Sequence, residues 1–157
     1  RQRRCRRPVA DCIQDRDRSK QDVPLECKKK GHTPSVIQTT LQELEKLNYI
    51  NDHRFAMEWG RWGVEVKQFG KKRLQHELLA KGVSASIIET ALTDLYDSHP
   101  EQDLALACAN KKLASLHGLE PEKKSRRLAQ YLQRRGFSHD IIYETLKVST
   151  TSPLDQD

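Results

Sequence analysis

Apolar material is scarce in this chain. Of its 157 residues 36% are hydrophobic and 6% aromatic, against 32% charged. No apolar run approaches the roughly 20 residues that a membrane-spanning helix needs, so no membrane partner is expected. One thick core is equally hard to build. An open array in which each unit buries a narrow stripe suits the composition better. The four cysteines, Cys5, Cys12, Cys27 and Cys108, include no Cys-x-x-Cys pair, and no secretory apolar segment precedes them. They read as reduced thiols of an intracellular protein. The spacings within Cys5, Cys12, Cys27 and His32 do not match a zinc knuckle. No phosphate-binding glycine loop, nucleophile elbow or His-Glu-x-x-His occurs, and the six histidines are scattered. No catalytic residue, cofactor site, cofactor or metal ligand is therefore assigned, and the chain reads as a non-enzyme. Period-two alternation is missing too, which excludes strands and leaves an all-α class.

What is present is a repeat. Gly31 to Leu41, Gly82 to Leu92 and Gly136 to Leu146 all read Gly-x-Ser/Thr-x-x-Val/Ile-Ile-x-x-x-Leu, with the glycines 51 and 54 residues apart. A period of that size marks a tandem array of supersecondary units. Glycine supplies the left-handed position that closes one helix. Two residues on, Thr33, Ser84 or Ser138 is placed to cap the next. The run Ile-x-x-x-Leu then lays apolar groups on one helical face. Each copy predicts a helix–turn–helix-like corner in an elongated array of three three-helix repeats.

The boundaries follow from caps and breakers. Residues 1–7 are Arg-rich and expected to be a disordered extension; an Arg-rich leader for organelle import is not decided by seven residues. Repeat one is expected over 8–50, with a weak first helix around Val9–Asp15. Ser19 and Asp22 resemble a capping box for a second helix running to Lys30, which Pro24 should kink or delay. The third follows Thr33, with stripe residues Val36, Ile37, Leu41, Leu44 and Leu47. Repeat two is expected over 51–99. Asp52 is placed to cap a helix in which Phe55 and Trp59 face inward and Trp62 stays partly exposed. Leu74, Leu78 and Leu79 are expected inward on the basic helix 71–81, and Ile87, Ile88, Ala91, Leu92 and Leu95 on the next. Repeat three is expected over 100–148. Leu104, Leu106, Ala107, Leu113 and Leu116 belong to its first helix, ended by Gly118, and Leu128, Tyr131 and Leu132 point inward on its second. Residues 149–157 are expected to be a flexible tail.

Charge is patterned along this frame. Residues 1–30 hold 11 basic and 5 acidic groups, which accounts for the whole net charge of +6. Residues 61–82 carry six basic and two acidic groups, residues 111–135 eight and two, and residues 83–103 five acids with no Lys or Arg. The candidate partner- or DNA-binding residues are Lys71, Lys72 and Arg73 in repeat two, and Lys123, Lys124, Arg126, Arg127, Arg134 and Arg135 in repeat three.

Residues 46–56 (KLNYINDHRFA), 69–82 (FGKKRLQHELLAKG) and 131–142 (YLQRRGFSHDII) resemble the RecX family of recombination regulators. Arg16-Asp17-Arg18-Ser19 is similar to the start of that family's second helix in repeat one, and the resemblance covers about residues 16–148. Pro24 departs from it. The resemblance implies a curved chain of three-helix repeats that binds the RecA recombinase filament, inhibits its ATP hydrolysis and strand exchange, and has no catalytic activity of its own. The implied partner is a RecA-type filament, with single- or double-stranded DNA as a further one, for a monomer in the bacterial cytoplasm or an organelle stroma or matrix. A direct DNA-binding module is the alternative. It is opposed by the acidic residues Glu89, Asp94 and Asp97 on the helix after the second corner, which phosphates would repel.

Overall fold

A computed structural model describes residues 19–47 and 50–151. The expected helix over Val9–Asp15, the Arg-rich start, Cys5, Cys12 and the chain after Thr151 lie outside the described residues. Among those described there are eight α-helices and no strand. They are α1 (Asp22–Lys29), α2 (Pro34–Lys46), α3 (Asp52–Glu65), α4 (Lys71–Ala80), α5 (Ala85–Ser98), α6 (Glu101–Leu113), α7 (Pro121–Arg134) and α8 (His139–Thr151). The last runs past the expected boundary at 148.

The repeated pattern has one backbone geometry at all three sites. Gly31, Gly82 and Gly136 have φ of 81°, 79° and 89°. Their N–H groups donate to Lys28, Leu79 and Gln133, and the residues after them donate to Cys27, Leu78 and Leu132. This pair of bonds is the Schellman closure of a helix. The first intrahelical bond after each corner also keeps register: Ile37 N to Thr33 O, Ile88 N to Ser84 O and Ile142 N to Ser138 O. Side-chain capping is less regular than expected. Ser138 Oγ accepts from Ile141 N at 3.4 Å. Thr33 holds the extended cap conformation with no side-chain bond, and Ser84 Oγ lies 3.4 Å from Ser86 Oγ.

Two other expected caps are replaced. Ser19 is fully buried, and its hydroxyl donates to Lys81 O at 2.7 Å instead of capping α1. Helix α1 starts after Gln21, which makes Pro24 its third residue. The first N–H groups of a helix have no intrahelical acceptor, so this proline removes no bond. The start is late and the proline is harmless. Asn51 caps α3 by accepting from Arg54 N at 3.0 Å. Asp52 instead accepts from Lys20 N at 2.8 Å.

The chain divides into two compact units, Arg1–Trp59 with Glu77–Ala91, and Gly60–His76 with Leu92–Asp157. In the first, α1 packs on α2 around Val23, Cys27, Ile37, Leu41 and Ile50. Phe55 is buried there and stacks on Trp59, whose indole N–H reaches Glu77 at 3.4 Å. In the second, α6, α7 and α8 pack on one another around Ala105, Cys108, Ala109, Leu128, Leu132, Phe137 and Ile142. Two leucine assignments change: Leu47 and Leu79 are exposed. Leu116 lies past the end of α6, whose inward face is Ala105, Cys108 and Ala109. Residues 104–109 are apolar without interruption, so periodicity could not choose the face.

Candidate functional site

The sequence places Lys71–Arg73 and Arg134–Arg135 some sixty residues apart. The fold joins them within the second unit, end to end. Gly70 N donates to Arg135 O at 2.7 Å and Lys72 N to Gly136 O at 3.1 Å. Lys71 N donates to the Glu101 carboxylate at 3.0 Å. Arg73 Nη1 donates to Arg134 O at 3.1 Å. The unpaired first-turn donors of α4 thus meet the unpaired last-turn carbonyls of α7, with the partial charges of the two helix ends opposed. The approach is so close that neither glycine could carry a side chain. A Cβ on Gly70 would lie 2.4 Å from the Gly136 carbonyl carbon, and one on Gly136 would lie 2.4 Å from Arg73 N.

A second set of bonds fixes the loop between α3 and α4. Three consecutive carbonyls each take a donor from a different helix or helix end. Arg135 Nη1 donates to Lys67 O, Cys108 Sγ to Gln68 O at 3.5 Å, and Tyr96 Oη to Phe69 O at 2.7 Å. Lys111 Nζ adds a bond to Gln68 Oε1 at 3.2 Å. Gln68 has φ of 54°, a left-handed conformation that these bonds hold in place. Burial raises the Tyr96 phenol above its usual range, and the Glu101 charge adds to the effect. Burial also raises the Cys108 thiol, against an opposing pull from Arg135 and Lys111. None of these bonds is legible in sequence, because no local motif announces a carbonyl that needs a distant donor.

The nine candidate basic residues therefore divide. Arg73 and Arg135 are structural. Arg73 bonds the end of α7 and lies over Phe69 at 4.6 Å. Arg135 bonds Lys67 O, lies over Tyr131 at 5.1 Å, and is half-buried. Lys124 is half-buried as well, since it sits one turn before Leu128 on the inward side. Lys71, Lys72, Lys123, Arg126, Arg127 and Arg134 are exposed. On α7, Lys123, Arg127 and Arg134 follow helical spacing of four and seven and share the outward side. Among the described residues no carboxylate forms an ion pair with these six cations; Lys20–Glu45, Lys29–Glu26, His99–Glu65 and Lys147–Glu144 are ion pairs elsewhere. The surface can hold an anionic partner. The described residues contain no group of His, Cys, Asp and Glu able to hold a metal ion.

Known proteins agree with this architecture. Residues 51–92 match the second three-helix domain of RecX, and residues 100–146 the third. The regulatory protein RecX of Pelodictyon phaeoclathratiforme is 32% identical over 142 residues, covering 90% of this chain and 86% of that protein. The regulatory protein RecX of Prosthecochloris aestuarii is 34% identical over 131 residues, 83% of each chain. The crystal structure of RecX from Lactobacillus salivarius superposes with a TM-score of 0.83 over 94% of this chain and 95% of that one, at 22% identity, which establishes the shared fold. With both three-helix domains matched and relatives aligned over most of their length, this chain belongs to the RecX family of regulatory proteins.

Proposed function

We propose that this chain binds a RecA-type recombinase filament and lowers its ATPase and strand-exchange activity, as a non-catalytic cytoplasmic regulator. The observation that carries the reading is the α4–α7 junction. It puts Lys71 and Lys72 beside Arg134 and continues their charge along α7 through Arg127 and Lys123. An exposed basic face without carboxylate partners suits an acidic protein surface or the nucleic acid inside a filament, and steers association over a distance set by ionic strength. Family membership supports the regulatory role. A duplex-reading module fits less well. In α5, the helix after the second corner, Glu89, Asp94 and Asp97 are all exposed, and carboxylates there would be repelled from a major groove.

The test is the ATPase of a RecA-type recombinase on single-stranded DNA, with and without this chain. The wild-type chain should lower the rate. The triple reversal Lys123→Glu, Arg126→Glu, Arg127→Glu should abolish that effect with helicity retained, because all three side chains are exposed. Full inhibition by the triple variant would remove the α7 face from the mechanism.

A further inference from the structure

We infer that the second unit carries a stacking site for single-stranded nucleic acid, formed where the C-terminal ends of α3, α6 and α7 meet, with Trp62 as the platform. The site is distinct from the outward face of α7 and does not depend on the recombinase reading. Trp62 is 41% exposed on the last turn of α3, and Val66, one turn on, is 66% exposed. Trp59, three positions earlier on the same side of α3, is half-buried against Phe55 and Glu77, so the exposed ring is that of Trp62. Lys67 Nζ lies 5.0 Å from the Trp62 ring centroid. The backbone of Lys67 is held by Arg135, and the side chain of Arg135 lies over Tyr131. Lys112 Nζ approaches the same tyrosine at 5.5 Å, and Lys111 is anchored to Gln68. Three helix ends thus bring cations and rings to one tethered loop.

This arrangement favours a strand with accessible bases over other polyanions. Among the described residues no carboxylate forms an ion pair with Lys67, Lys111 or Lys112, which leaves charge for phosphates. An exposed indole offers a flat apolar surface that a phosphate does not use and an unstacked base does. Lys67 is a flexible side chain, able to exchange the ring for a phosphate while a base takes its place. The loop is pre-organised by the three donors to its carbonyls, so little ordering is left for the binding step. Duplex DNA hides its base faces and gains nothing from the ring.

The test uses the whole chain without recombinase. In a Trp59→Phe variant Trp62 is the sole tryptophan. Its emission should be quenched saturably by an oligothymidylate of about 15 nucleotides, and not by inorganic polyphosphate. In the reciprocal Trp62→Phe variant the emission should not respond. Trp62→Ala, checked by circular dichroism for an unchanged fold, should weaken oligonucleotide binding about ten-fold. Lys111→Gln with Lys112→Gln should make the slope of log affinity against log salt shallower by about 1.4, two phosphate contacts on a single strand. Tighter binding to duplex than to single strand would overturn the proposal. So would equal affinity for polyphosphate with no change at Trp62, which would reveal a plain cationic surface. Absence of saturable binding to the oligonucleotide alone would overturn it as well, and would leave the ATPase prediction standing.

Discussion

Gly70→Ala puts one methyl group into a close backbone-to-backbone contact of the second unit. Gly70 has no left-handed backbone to protect, so the effect is one of space alone. The new carbon would lie 2.4 Å from the Gly136 carbonyl carbon, 2.5 Å from its oxygen and 2.5 Å from Phe137 N. Those are backbone atoms of a helix closure and cannot rotate away. Ordinary carbon contacts lie at about 3.5 Å or more, so the ends of α4 and α7 must part by about 1 Å. That displacement stretches Gly70 N to Arg135 O from 2.7 Å and Lys72 N to Gly136 O from 3.1 Å, to about 3.7 and 4.1 Å, outside hydrogen-bond range. Each lost bond costs about 1 kcal/mol, overpacking adds about 1–3 kcal/mol, and the stiffer unfolded chain returns about 0.4–1 kcal/mol. A net loss of about 2–4.6 kcal/mol follows, or about 4–18 °C in Tm for a chain of this size. Gly118→Ala is the control. It has φ of 76° with nothing within 4 Å, so only the conformational cost of about 1–2 kcal/mol applies. Thermal denaturation followed by circular dichroism compares the two, and hydrogen exchange locates the loss. If Gly70→Ala melts no lower than Gly118→Ala, or exchange around residues 70–74 and 135–138 is unaltered, the junction is looser than described.

Ile88 and Ile142 occupy the same place in two copies of the repeat and are 1% and 7% exposed; replacing either with Ala should cost about 2–5 kcal/mol in denaturant unfolding, and losses below about 0.5 kcal/mol at both would show that the stripe faces outward. Pro24→Ala should change stability by less than about 1 kcal/mol, because the third helical position has no bond to regain; a gain near the 3 kcal/mol of an interior proline would place the helix start earlier than Asp22. Tyr96 keeps its proton in the folded state above pH 10.0, the ordinary tyrosine value, while the unfolded chain loses it; through this group stability does not vary with pH below pH 10 and falls above it, by up to about 1.4 kcal/mol per pH unit. Tyr96→Phe should therefore be less stable than wild type at pH 7 by about 1 kcal/mol and show a shallower alkaline decline, and parallel pH profiles for the two proteins would contradict the buried phenol.

The corners were readable because a Schellman closure is local. It needs a left-handed residue, and glycine in register three times announces one. The stripes were readable where polar residues separate the apolar ones, as in Ile88, Ala91, Leu92 and Leu95 of α5, all buried. On α6 that separation is missing, so spacing alone leaves the inward face open. Ser19 and Asp52 misled for another reason. Each is a good capping residue whose oxygen serves a distant partner, Lys81 O and Lys20 N. Local hydrogen-bond capacity shows that a polar side chain will find a partner, and long-range packing decides which one.

The same distinction governs the basic residues. Charge counts along the chain mark segments, and Lys123, Arg126, Arg127 and Arg134 within them are exposed. They could not separate a cation that faces solvent from one that closes a helix end. Arg73 and Arg135 belong to the second kind, since their guanidinium groups satisfy the carbonyls of Arg134 and Lys67. Charge reversal at either would set a carboxylate against a carbonyl that had lost its donor. Such a variant would lose partner binding and local structure together, and its phenotype would say nothing about the surface. Lys111 and Lys112 form an intermediate class, exposed or half-buried and engaged through weak contacts to Gln68 and Tyr131. Neutralising them with glutamine adds no new charge at the end of α6, which makes salt dependence a reading of phosphate contacts and not of folding.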